Sequence, residues 1–177
     1  MKHIRELSTN GLVWMQPQAM VCAFELRGGE ELFATLRWES SLSSFADAVA
    51  SDGHWTFNRT GLFDPRIGVR VHGQDGILAL FIPTWTADGV LEFAPDGRAF
   101  WKGSGAWRSR WSFSDASGEQ LVDFEECGSM LSQRTSVKLT PTGLARTDLS
   151  LLVLLGFYLI LLQSDDEAAA NVACAVT

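Results

Sequence analysis

The chain has 177 residues, 46% of them hydrophobic and 20% charged, which fits one folded domain and argues against a disordered protein. A formal net charge of −7 speaks against a broad nucleic-acid-binding surface, so no nucleic-acid partner is expected. Seven Trp and eleven Phe are many for this length and suit wide, half-buried strands.

Residues Met1 to Leu12 are polar and mixed in charge, with no apolar core of a secretory signal. They read as a lead-in to the domain. Cys22, Cys127 and Cys174 are odd in number and far apart, which supports neither a disulfide framework nor a zinc knuckle. A reducing compartment follows as the simple expectation, and with it a cytoplasmic location.

From there to about residue 140 the chain is punctuated like an all-β protein. Asn10-Gly11, Gly28-Gly29, Asp52-Gly53, Asp75-Gly76, Asp88-Gly89, Asp96-Gly97 and Ser117-Gly118 are tight-turn signals, because Gly, Asn and Asp tolerate the positive φ of hairpin turns. Strand candidates lie between them. Val21 to Leu26 and Glu31 to Trp38 flank the first Gly-Gly pair. Ala46, Ala48 and Ala50 alternate toward Asp52-Gly53, and Trp55 and Phe57 alternate after it. Ser43 or Ser44 could instead cap a short helix over Leu42 to Ala50, but the alternation favours a strand. Ile67, Val69 and Val71 share one face, and Ile77 to Ile82 pairs back on them. Val90 to Phe93 with Arg98 to Lys102, then Trp111 to Phe113 with Leu121 to Phe124, and finally Ser132 to Thr140 complete the set. Roughly ten to twelve short strands suit a barrel or a sandwich.

The pattern changes at Pro141-Thr142-Gly143. Asp148 is a candidate N-cap, and Leu149 to Leu162 is apolar on every face except for Ser150. Its fourteen residues rise about 21 Å as a helix, short of the roughly 30 Å hydrocarbon core of a bilayer. Asp165-Asp166-Glu167 follow it, and only Arg146 is basic nearby. Such a segment needs a wall on all sides. A closed antiparallel β-barrel supplies one. The expected architecture is therefore a single mainly-β domain over 1–177: lead-in 1–12, about twelve strands, a central helix over 149–163 and a tail over 164–177. No transmembrane segment is expected. Gly156, unfavourable in a helix, marks a predicted close approach of helix and wall.

Many short strands followed by one all-apolar helix resemble the tubby C-terminal fold, the superfamily of tubby proteins, plant LURP-one-related proteins, phospholipid scramblases and small bacterial relatives. The resemblance runs from about Val21 to Glu167. Its carriers are Phe24-Glu-Leu-Arg-Gly-Gly-Glu-Glu-Leu-Phe, the stretch from Ala46 and Ala48 through Gly53, Trp55, Phe57 and Arg59, and Leu149 to Leu162. It implies a twelve-stranded barrel threaded by the helix, and binding of phosphoinositide head groups through basic surface side chains. The nearest analogue of such a basic pair is Arg108-Ser109-Arg110, whose arginines share a face in a strand, with Lys102 close in sequence. Trp101, Trp107 and Trp111 either meet a lipid interface or fill the core side of the same strands.

No catalytic constellation emerges. His3, His54 and His72 are scattered, with no acid at metal-ligand spacing, so no metal or other cofactor is expected. There is no G-x-S-x-G elbow, and Gly103-Ser104-Gly105 lacks the third glycine of a nucleotide loop and reads as a turn. Cys174-Ala175-Val176-Thr177 fits a C-a-a-X box only formally, because acids stand where basic residues usually precede it. The expectation is a non-enzymatic module. Three readings stand: binding of an anionic phospholipid head group peripherally at a membrane, a protein-interaction domain, or a scramblase-like chain anchored by Leu149 to Leu162.

Overall fold

The computed structural model describes residues 1–6, 11–18, 21–39, 44–61, 63–86, 88–105, 109–127 and 134–175, with 165–175 as backbone only. Among the described residues there are twelve strands: β1 (Leu12–Met15), β2 (Ala23–Gly28), β3 (Glu31–Trp38), β4 (Ala46–Ala50), β5 (Gly53–Thr60), β6 (Arg66–Val71), β7 (Ile77–Pro83), β8 (Gly89–Phe93), β9 (Arg98–Ser104), β10 (Arg110–Ser114), β11 (Gln120–Glu126) and β12 (Arg134–Leu139). Each pairs antiparallel with its sequence neighbours, and β1 pairs with both β2 and β12, so the sheet closes on itself. Two helices follow, α1 (Pro141–Leu144) and α2 (Leu149–Ala175).

The alternation read from the sequence is the wall of this barrel. On β2, Phe24 and Leu26 are buried while Glu25 and Arg27 are not. On β4, Ala46, Ala48 and Ala50 point inward and Asp47 and Val49 outward. Closure removes the exposed sheet edges that would otherwise invite aggregation. Hairpins turn where expected at Gly29 and Gly97, whose φ values are 64° and 130°. β9 runs on through Gly103 and Ser104, and only Gly105 leaves it.

α2 occupies the interior. Every residue from Leu149 to Leu161 is buried. Phe157 stacks on Trp14 of β1 at 4.5 Å and meets Phe24 edge-on at 5.3 Å, while Tyr158 stacks on Trp38 at 4.8 Å and donates a 2.6 Å hydrogen bond to the Ser44 carbonyl. The helix leans on β3–β5 on one side and on β10–β11 on the other. Small side chains admit it on the first side, where Ala34, Ala46 and Ala48 are buried. On the second side the accommodation lies in the helix itself. A Cβ on Gly156 would stand 2.4 Å from Phe124 Cζ, so the expected close approach is present.

Several boundaries differ from the sequence reading. β1 lies where the lead-in was expected to run out. Pairing with β2 on one side and with β12, far away in sequence, on the other defines it. Ile4 is fully buried, and Lys2 N donates to Leu32 O at 2.9 Å, so part of the lead-in packs against the barrel. α2 continues to Ala175 in place of a tail, because Ala-rich sequence without Gly or Pro carries no stop signal. Pro141-Thr142-Gly143 opens α1, whose first turn is capped by Thr140 Oγ1 accepting from Gly143 N at 3.0 Å. Asp148 stands at the N-cap position of α2, its carbonyl accepting from Leu152 N at 3.0 Å, while its carboxylate takes a bidentate pair with Arg146 at 2.7 and 2.6 Å. No helix of the described residues is long and apolar enough to cross a membrane. The outward faces of β2, β4 and β10–β12 carry Glu25, Arg27, Asp47, Arg110, Asp123, Glu125 and Lys138, whereas those of β7–β9 include Leu80, Ile82, Val90 and Phe100.

Candidate functional site

α2 occupies the barrel interior, which leaves the ends and the outer wall of the described residues as the open surfaces. At the end where β5 and β7 finish, a cavity of about 420 Å³ opens beside the helix. That volume falls in the range of small-molecule sites. Its floor is Ile67, Phe81 and Leu159; Arg59 and Gln163 bring polar atoms to it. Two aromatic rings stand at the rim. Phe63 is 97% exposed and Trp85 is fully exposed.

Local sequence explains why these rings are held out. The β5–β6 connection starts at Gly61, whose φ is +86° and where a Cβ would lie 2.3 Å from Asp64 O, so the turn is open only to glycine. Asp64 then accepts from Arg66 Nη2 at 2.9 Å, fixing the loop base. In the β7–β8 connection Thr84 N donates to Asp88 O at 2.7 Å, and Thr84 Oγ1 donates to the same oxygen at 3.1 Å. Trp85 thus sits on the tip of a closed turn. Large exposed rings on fixed turns next to an apolar hollow form the kind of surface that marks a binding site.

Of the basic residues predicted to bind a ligand, Arg108 lies outside the described residues, as does Trp107. Lys102 and Arg110 do share the outward face. In the β9–β10 register Arg110 faces Ser104 and Lys102 faces Ser112, which makes them diagonal neighbours. Arg110, however, is engaged across β11: its Nε donates to Glu125 Oε1 at 2.9 Å, and Lys138 Nζ reaches Glu125 Oε2 at 3.4 Å. The hydrogen bond from Arg110 holds the Glu125 carboxyl below its ordinary range. Trp101 and Trp111 are buried on the core side of these strands, not at an interface. Arg110 is therefore paired within the wall, and Lys102 shares its outward face.

The histidines are less scattered than their spacing suggests. His3 lies by Asp52 at 3.4 Å, but His54 and His72 meet on the outer wall beside Asp47. The mouth residues had a weak signal in the chain. Gly61-Leu62-Phe63-Asp64-Pro65 and Pro83-Thr84-Trp85-Thr86 each place an aromatic between turn formers, where nothing local asks for a buried ring.

The fold and this site define a class: a helix-filled, closed antiparallel barrel with an aromatic-rimmed cavity at one mouth. Comparison with protein-family models, curated proteins and solved structures found no match to the chain.

Proposed function

We propose that the protein is a non-enzymatic binding module that docks its mouth on a lipid surface and takes an anionic amphiphile into the cavity beside α2. The observation that carries this reading is the pair of exposed rings, Phe63 and Trp85, flanking an apolar hollow that Arg59 lines. Aromatic rings favour the membrane interface, where an apolar body and polar surroundings are both satisfied. The apolar floor suits a hydrocarbon chain, and Arg59 suits a phosphate or carboxylate head. The tubby-like layout read from the sequence points to the same ligand class. The mouth is preferred to Arg108, Arg110 and Lys102 as the proposed contact surface, because it joins exposed rings to an apolar hollow.

The test is flotation of the full chain with phosphatidylcholine vesicles, with and without phosphatidylglycerol, at low salt. Binding to the anionic vesicles is expected. Phe63→Ser and Trp85→Ser together should weaken it by well over tenfold, since burying a large apolar side chain contributes about 1.5–3 kcal/mol and 1.4 kcal/mol is a factor of ten. Arg110→Ala with Lys102→Ala should leave it nearly unchanged. Failure to bind anionic vesicles at low salt would overturn the proposal and favour a protein-interaction module instead.

A further inference from the structure

We propose that Asp47, His54 and His72 form a binding site for a divalent transition-metal ion of the zinc class on the outer wall. The site stands at the end of the barrel opposite the mouth. β5 separates the two: His54 lies near its start and Arg59 near its end, about 17 Å apart at the rise of an extended strand.

Three strands build the site through their register. His54 faces Val49 in the β4–β5 ladder, which makes Asp47 its diagonal neighbour on the outward face. The β5–β6 ladder runs one step beyond Trp55 and Val71, with His72 N donating to His54 O at 2.9 Å. That step sets the two imidazoles against each other, 3.7 Å between centroids and 8° from parallel. His54 Nε2 lies 2.8 and 2.9 Å from the two Asp47 carboxylate oxygens, and His72 Nδ1 lies 3.2 Å from Oδ1. One donor atom from each residue falls within 4.8 Å of the others.

Donors held about 2.0–2.1 Å from one ion stand roughly 2.9–3.4 Å apart in octahedral or tetrahedral geometry. The observed separations from Asp47 already approach that spacing. Two imidazoles and one carboxylate select borderline ions such as Zn²⁺, Co²⁺ or Ni²⁺ over Ca²⁺ and Mg²⁺, which require oxygen donors. Side-chain exposures of 37% for Asp47, 38% for His54 and 53% for His72 leave the remaining positions open to water. They also give the parallel rings room to tilt until both lone pairs converge. Arg37 faces Asp47 across β3–β4, and Arg70 faces Thr56 on β6. Both guanidinium groups oppose a dication, so affinity is expected in the micromolar rather than the nanomolar class.

The test is isothermal titration of the full chain with ZnCl₂ near neutral pH, supported by the visible absorption of bound Co²⁺. It is run with Cys22, Cys127 and Cys174 each changed to Ser, which removes thiolates as competing ligands. One Zn²⁺ per chain is expected, and MgCl₂ should give no signal. His54→Gln, His72→Gln and Asp47→Asn should each weaken uptake at least about tenfold, the scale on which lost support at metal sites is felt. His3→Gln should leave it unchanged. Circular dichroism confirms that each variant is folded. Absence of Zn²⁺ uptake in the micromolar range, or uptake that survives His54→Gln and His72→Gln in folded protein, would show that the three residues are only a hydrogen-bonded surface cluster.

Discussion

Replacing Gly156 by Ala sets two effects of known sign against each other. In a free helix the change is favourable by about 1 kcal/mol, because glycine carries the larger backbone entropy cost. Inside this barrel the new methyl would stand 2.4 Å from Phe124 Cζ and 2.6 Å from Cε2. Ordinary carbon contacts are about 3.5–4.0 Å, so the ring or the helix must retreat by more than about 1 Å. Phe124 has little room to do so. It is fully buried, and Trp101 stands edge-on behind it at 5.6 Å. Overpacking of this kind costs about 1–3 kcal/mol. The clash therefore outweighs the propensity gain, and Gly156→Ala should destabilise the protein by about 1 kcal/mol net, a fall in Tm of about 2–4 °C for a chain of this size. In a Phe124→Leu background the ring is gone and the same substitution should become neutral or stabilising. Urea denaturation followed by tryptophan fluorescence measures both, and the double-mutant cycle isolates the coupling, expected at about 1–3 kcal/mol. Gly156→Ala that stabilises the wild type, with additive behaviour in the cycle, would falsify the close packing of α2 against β11.

Tyr158 is the only tyrosine in the chain, so absorbance near 295 nm reports its ionisation alone. Burial pushes its hydroxyl well above the ordinary value of about 10. A folded-state pKa raised above the unfolded one means that its contribution is complete below pH about 10 and is lost as pH rises beyond that. Phenolate absorbance should therefore appear together with loss of the far-ultraviolet dichroism; a smooth titration near 10 in folded protein would contradict the burial. Tyr158→Phe removes the bond to Ser44 O and should cost about 1 kcal/mol, read from the same urea curves. A chain ending at Thr147 should fail to fold, because the inward faces of the strands would then enclose an empty core. A soluble truncation with native-like dichroism would refute the central role of the helix. Leu155→Asp should have a comparable effect, since it buries a charge without a partner among leucines.

Much of the barrel was readable one hairpin at a time. Gly28-Gly29, Asp96-Gly97 and Ser117-Gly118 sit at turns, and the alternating faces of β2 and β4 appear as inside and outside; on β6 Ile67 and Val69 are buried, but Gly68 between them is buried too. β1 was not readable. Its four residues, Leu-Val-Trp-Met, show too little alternation, and its partner β12 begins more than a hundred residues later. The candidate sites were less legible still. The mouth brings Phe63 and Trp85 together from two connections. Asp47 and His54 lie on β4 and β5 and His72 follows β6 directly, and their spacing along the chain matches no metal motif.

The sequence by itself determined that the domain is built from short strands and that Leu149 to Leu162 must be surrounded. Both conclusions follow from local periodicity and from the cost of exposing an apolar helix to water. Only the tertiary structure decided where the strands close and that Gly156 presses against Phe124. It alone decided which outward side chains become neighbours: Arg110 with Glu125, and His54 with His72 and Asp47. The physical reason is that register between strands is set by the whole closed ladder. A shift of one residue would turn each outward side chain inward, and no short stretch of sequence carries that information.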